Sequence, residues 1–259
     1  MIRAPTQRLQ VPDDERMEHA MLGLTKQLVH MQQFLITWFI FFGFGVGIYA
    51  FNSVRSKHKF SFVELCGYCL PFRTLSHQSF HTDIKIYLIS KFTDKIFYIP
   101  GVFLGAFLCL QVGDLLKYTF PNYVPLGFSF IIAAICTLVM YFAEEFSYFT
   151  SHFALHKIPA LWELHKVHHS AQSLNPLTAR RIHPLALAFE AIVRALFLSI
   201  PGGFLIFLFG ITVTDALAVS IVASKIFVIM TLDPLKHSHH PIGLGFFDRV
   251  FVSPHMHQI

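Results

Sequence analysis

Leu126-Gly127-Phe128-Ser129-Phe130-Ile131-Ile132-Ala133-Ala134-Ile135-Cys136-Thr137-Leu138-Val139-Met140-Tyr141-Phe142-Ala143 runs without a single charge. It decides the fold class, because a helix crossing the apolar slab of a bilayer needs about 20 such residues. Three other stretches share its character. Phe34–Phe51 is charge-free, Phe97–Val112 is a shorter apolar run, and Pro184–Leu232 is a long one interrupted by Pro201-Gly202-Gly203. Phe97–Val112 and Leu126–Ala143 are expected to form one hairpin, joined by Asp114–Pro125. Pro184–Leu232 is expected to form a second, broken at Pro201-Gly202-Gly203. With Phe34–Phe51 as an N-terminal span, the expectation is an all-α integral membrane protein of about four to five membrane helices.

Composition points the same way. Of 259 residues, 54% are hydrophobic and only 14% charged, against about 25% charged in soluble domains. Mean hydropathy is +0.55. Thirty phenylalanines in such runs exclude a soluble globule, a disordered chain, a collagen-like repeat and a coiled coil. Residues 1–33 read as a polar tail with an amphipathic helix that Asp13 or Asp14 can cap. Residues 34–259 read as one membrane-embedded domain, with no internal repeat. The first apolar run lies behind this polar tail, which is not the layout of a cleavable signal peptide.

The net charge of +5 is not arranged as the basic, aromatic-interleaved face of a nucleic-acid binder. Lys and Arg fall between the apolar runs. Segments 52–96, 144–184 and 233–259, which the two hairpins bring to one side, hold thirteen of them. Lys117, Arg3, Arg8, Arg16 and Lys26 make five on the other side. The excess marks the cytoplasmic side. Of the four cysteines, Cys109 and Cys136 sit in apolar runs as small hydrophobes. Cys66-Gly67-Tyr68-Cys69 has the C-x-x-C spacing but lacks the βαβ context of a redox motif.

Sixteen histidines are the chemical lead, and eleven lie between His152 and His257. His152-Phe153-Ala154-Leu155-His156 puts two imidazoles one turn apart on one helix face. His165-Lys166-Val167-His168-His169 follows. On a helix His165 shares a face with both later histidines, which diverge from each other by about 100° and so can address two ions. His183 precedes Pro184, His237-Ser238-His239-His240 follows the second hairpin, and His255-Met256-His257 comes last. All belong to the expected cytoplasmic cap. His19, His30, His58, His77 and His81 lack such spacing. An imidazole-rich set with few carboxylates suits Zn, Cu, Fe or Ni rather than Ca or Mg. No H-E-x-x-H is present, and the ligand count exceeds the four of one structural zinc, so two metals sharing a cage is the simpler arithmetic. Glu190 and Arg194 stand four apart in an apolar run, where they can pair, and Lys225 lies in the last one.

Leu161-Trp162-Glu163-Leu164-His165-Lys166-Val167-His168-His169-Ser170, then Arg181-Ile182-His183-Pro184, resembles the fatty acid hydroxylase/sterol desaturase superfamily. So does Phe247-Asp248-Arg249-Val250-Phe251-Val252-Ser253-Pro254 leading to His257, and more weakly the stretch from Leu70-Pro71-Phe72 to Asp83. The resemblance implies a histidine-bound di-iron centre that hydroxylates or desaturates a sterol or fatty acyl chain in lipid biosynthesis. It also implies O2 as co-substrate, an external electron donor of the cytochrome b5, ferredoxin or NAD(P)H-reductase type, and no nucleic acid. Carried over by position, the implied metal ligands are His152, His156, His165, His168, His169, His183, His237 and His257. His257 would open a third H-x-x-H-H box that the sequence does not complete, so the catalytic domain is expected to lack its C-terminal part. His239, His240 and His255 match no position of the pattern.

Two rival readings belong to other classes. A metal or haem transporter would spread ionisable residues through the spans, whereas here they gather at one face. A zinc-dependent membrane hydrolase is disfavoured by the missing H-E-x-x-H. The topology is directly testable: a reporter fused after Lys59 or within 170–180 should read as cytoplasmic, and one near Asn122 as the opposite side. Swapped signals would overturn the hairpins.

Overall fold

The computed structural model describes residues 35, 38–69, 72–127, 129–230, 232, 235–237, 242–243, 245–249 and 253–258. The expected N-terminal amphipathic helix, His19, His30, His239 and His240 lie outside these residues. Among the described residues the chain is helical without strands. Helix α1 covers 38–55, the described part of the expected first span. Two short helices, α2 (Phe62–Cys69) and α3 (Phe72–Leu75), lead to α4 (Gln78–Phe97) and α5 (Ile99–Thr119). Then come α6 (Phe130–Lys157), α7 (Pro159–His165), α8 (Pro184–Phe209), α9 (Val213–Met230) and α10 (Pro254–Gln258).

Four described stretches are long and apolar enough to cross a membrane: Gln78–Thr119, Phe130–Lys157, Pro184–Phe209 and Val213–Met230. The protein is an all-α, multi-pass integral membrane protein. Its outward faces carry large apolar side chains such as Phe103, Phe107, Phe130 and Phe204, as a surface solvated by lipid requires. The shared core joins Cys109 of α5, Cys136 and Met140 of α6, Leu205 and Ile206 of α8, and Ala223 and Phe227 of α9.

Local chemistry sets the helix ends. Ser129 accepts the Ile132 N–H at 3.3 Å and caps α6. Pro159 and Pro184 occupy the first turns of α7 and α8, where a missing N–H costs nothing. α8 ends at Gly210, whose φ of 66° is left-handed and suits glycine. This corrects one expectation. The turn of the second hairpin is at Gly210, and α8 runs unbroken through Pro201-Gly202-Gly203. In a lipid-buried helix, packing neighbours compensate for a proline, and here the two glycines serve contact with α5. The first hairpin is likewise displaced: Asp114–Thr119 complete α5, so its connector is 120–129.

α5 and α8 run side by side in the same direction. Gly101 faces Ala191, Gly105 faces Ala195, Gly202 faces Cys109, and Gly203 faces Val112. Small residues repeat every fourth position on both partners, as Gly101, Gly105, Cys109, Gly113 and as Ala191, Ala195, Ser199, Gly203. This is the small-xxx-small packing that lets membrane helices approach closely. At the far end the two connectors are tied together. Tyr123 Oη and the Leu126 N–H both donate to the Leu208 carbonyl, at 3.1 and 3.0 Å.

One polar network lies inside the bundle. Arg194 of α8 donates from Nε to both carboxylate oxygens of Glu144 on α6, at 2.8 and 2.9 Å. It also donates to Tyr98 Oη and, at 2.7 Å, to Ser224 Oγ of α9. Arg194 is thus held by a carboxylate fifty positions away on another helix, rather than depending on Glu190 one turn before it. The α5–α8 contact gives a stability test. A Cβ at Gly203 would lie 2.4 Å from Val112 Cβ, whereas one at Gly43 meets nothing within 4 Å. Gly203→Leu should destabilise the fold by about 1–3 kcal/mol or more, read as a lower melting temperature in detergent. Gly43→Leu should leave it unchanged. Equal melting temperatures for both variants would contradict the close approach.

Candidate metal centre

The ends of four elements deliver the histidines to one place. His152 and His156 ride the last turns of α6, with Nε2 atoms 3.2 Å apart. α7 ends at His165, and a 3-10 turn at His168–Ser170 continues it. Despite that change of helix type, His169 Nε2 comes back to 3.2 Å from His165 Nε2. His168 turns the other way, to 2.7 Å from His237 Nε2 beyond α9. His257 in α10 closes on His237 at 3.0 Å, again between Nε2 atoms.

Two triads emerge. His152, His156 and His165 form one, and His168, His237 and His257 the other, with ligand atoms within 4.8 Å of one another in each. His169 adjoins the first. The triads touch: the rings of His165 and His168 stack with centroids 5.2 Å apart, and those of His152 and His257 are also 5.2 Å apart. Seven of the eight expected ligands therefore meet. His183 caps α8, its Nδ1 accepting the Leu185 N–H at 3.1 Å, and it is in neither triad. Trp162 closes the first triad from one side, against His156 and His169. Tyr148 stacks on His152 from the bundle side.

The donor set fits a cation. Imidazole–metal bonds of about 2.1 Å place two ligands at right angles roughly 3 Å apart, close to the spacings seen here. Without a cation the second triad is poorly satisfied. His168 and His257 both direct Nε2 at the single Nε2 lone pair of His237, and the buried Nδ1 atoms of His237 and His257 have no hydrogen-bond partner among the described residues. Burial, and then the neighbouring imidazoles, hold His165 down at about 3. Burial also holds His257 down, followed by His237 and Lys236, to about 2. His169 and His237 are lowered for the same leading reason, His237 strongly. Neutral imidazole is the form that binds metal, so at neutral pH no proton has to be displaced.

A second buried cluster holds this arrangement in place. The loop after the second His box folds back on α4, where the Asp83 carboxylate is all but sealed from solvent, 1% exposed. It accepts from Arg181 Nε at 2.6 Å, from Asn175 Nδ2 at 2.7 Å and from Thr178 Oγ1 at 3.0 Å. Arg181 spends its remaining donors on the Ser79 carbonyl and hydroxyl and on Ser170 Oγ. Ser170 directly follows His169, so the knot fixes the end of the box. Sequence reasoning noted Arg181 and Asp83 only as parts of separate stretches. Their pairing spans ninety-eight positions, and no local pattern announces it.

Residues 137–259 match a family model described as fatty acid hydroxylase. The matched region contains both triads and the whole of α8 and α9. No curated protein matches the chain, and no solved structure does.

The depressed histidines make acid sensitivity predictable. An unfolded histidine takes up a proton as pH falls below about 6.5, whereas the buried ones resist until far lower. Between those limits the unfolded state binds more protons, so stability declines as pH drops. Metal-depleted protein should therefore melt at progressively lower temperature from about pH 7 to about pH 5. His257→Gln should flatten that slope. A melting temperature flat over this range would contradict burial of neutral imidazoles.

Proposed function

We propose that this membrane protein, of which residues 137–259 match a fatty acid hydroxylase family model, is an oxidoreductase that uses two irons, held by its histidine triads, for the O2-dependent hydroxylation or desaturation of a sterol or fatty acyl chain. The observation that carries this reading is the pair of adjoining imidazole triads at one end of the membrane bundle. Three imidazoles in each leave room in a coordination sphere for a small ligand, and few carboxylates compete with them. His152, His156 and His165, supported by His169, would hold one ion, and His168, His237 and His257 the other. When bound, the metal pair would supply an O2-derived oxidant able to take hydrogen from an unactivated C–H bond.

The protein's own residues perform the remaining work. Trp162 and Tyr148 wall the imidazoles with aromatic rings and limit water. The Asp83–Arg181 knot fixes the loop that directly follows three of the ligands. Helix α6 links membrane to metal: its first turns are lipid-facing and its last two turns carry two ligands, so a chain lying along it has its reactive carbon brought to the bundle end. The charge balance that favours a cytoplasmic His face also puts the centre within reach of a soluble or membrane-bound electron donor. Lipid biosynthesis is the setting this reading implies.

The test separates metal binding from insertion. His168→Ala should lower bound iron and remove O2-dependent lipid oxidation, while the protein still inserts and purifies as a membrane protein. His58→Ala and His81→Ala should keep iron and turnover near the parent level. Iron per chain by elemental analysis, together with mass spectrometry of lipid products, decides the matter. Full oxidation by His168→Ala would sink the assignment, and one bound zinc without iron would favour a hydrolase.

A further inference from the structure

Inside the bundle, apart from the histidines, α5, α8 and α9 enclose a cavity of about 410 Å³. Small and aliphatic residues form most of its wall, among them Gly105, Ala195, Gly202, Ala216 and Leu217. At the end nearer the histidines the wall turns polar, with Tyr98, Arg194, Ser224 and Lys225. No histidine is among its lining residues. Val102 of α5 and Ile221 of α9 line the cavity and are themselves 39% and 56% exposed. The cavity thus opens sideways, toward lipid.

Its two cations differ in one respect. Arg194 is neutralised by Glu144. Lys225 Nζ is buried and has no hydrogen-bond partner among the described residues. It sits five residues before the end of α9, roughly 8 Å inside the bundle at 1.5 Å per residue. A cation at such depth is costly and ordinarily faces a partner. An apolar pocket with a few convergent polar groups is the usual form of a ligand site, and this volume lies near the lower end of the roughly 300–1,000 Å³ such sites span.

We infer that this cavity binds a single-chain fatty carboxylate, its hydrocarbon tail against the small-residue face of α5 and α8 and its carboxylate on Lys225 Nζ. Charge complementarity selects the head: a cation without a hydrogen-bond partner among the described residues matches one negative charge. The volume selects one chain rather than two. The lateral opening between α5 and α9 admits the ligand from the bilayer. The site is distinct from the metal centre and does not depend on the reaction proposed there.

Equilibrium binding to the full chain in phosphatidylcholine nanodiscs tests it, with radiolabelled palmitate and hexadecanol as probes at near-neutral pH, where an ammonium is protonated and a carboxylic acid is ionised. Palmitate should bind at least about tenfold more tightly than hexadecanol, a difference of about 1.4 kcal/mol. Lys225→Met should abolish that preference while keeping hexadecanol binding, which also reports that the variant is folded. Lys225→Arg should retain the preference. Ser220→Phe, which fills the cavity, should remove binding of both probes without using Lys225 at all. Equal affinity for palmitate and hexadecanol in the parent, unchanged palmitate binding by Lys225→Met and Ser220→Phe, or equally strong competition by two-chain phosphatidylglycerol would overturn the inference.

Discussion

The Asp83–Arg181 ion pair is the constraint on which the rest of the histidine assembly rests. Both groups are buried, and desolvating two charges is compensated only when geometry is good and every remaining donor and acceptor is used. Here the geometry is good and most donors and acceptors are used: the Asp83 oxygens also take bonds from Asn175 and Thr178, and Arg181 reaches Ser79 and Ser170. Such a cluster tolerates few alternative arrangements, because removing one partner leaves an unpaired buried charge at a cost of about 3–5 kcal/mol. It pins the irregular segment between the second His box and α8 to the first turns of α4. That segment has little regular structure, so the knot adds a fixed point directly after His168 and His169, which face opposite triads.

The imidazoles pose the reverse problem. Seven of them crowd within ring contact, and any one that took a proton would repel the others. Burial keeps His165 and His257 neutral well below their ordinary range. Neutral rings with converging lone pairs form a site that is incomplete by itself and satisfied by a cation. The bundle geometry makes this possible at modest cost, because the ends of α6 and α9 and the segment before α8 reach one boundary, where polar backbone has company and apolar helix faces have lipid.

The sequence was most legible where chemistry and period coincide. The charge-free run from Leu126 to Ala143 foretold α6, and the four-residue step between His152 and His156 foretold two rings on one face. The adjacent pair His168-His169 was expected to diverge, and the two rings do face different triads, although the backbone there is a 3-10 turn rather than the regular helix assumed. What could not be read locally depends on long-range partners. Pro201-Gly202-Gly203 has the composition of a turn, yet it lies within α8 because Cys109 and Val112 of α5 press against it. The fourfold repeat of small residues on α5 and α8 was present in the sequence and identifies that contact. His183 shows the limit of position-by-position matching, since its ring nitrogen is engaged in capping α8.

The same packing explains why the bundle is not uniformly filled. Small residues bring α5 and α8 together along their length, and a helix drawn that close cannot also contact α9 closely on its neighbouring face. The space left on that side is the cavity lined by Gly105, Ala195 and Ala216. Arg194 crosses one edge of it and is neutralised from α6, so it works as a strut between helices. Lys225 enters from α9 without a hydrogen-bond partner among the described residues. Two cations lining the same cavity thus have different physical standing: one is a strut between helices, and the other leaves a charge that a ligand can meet.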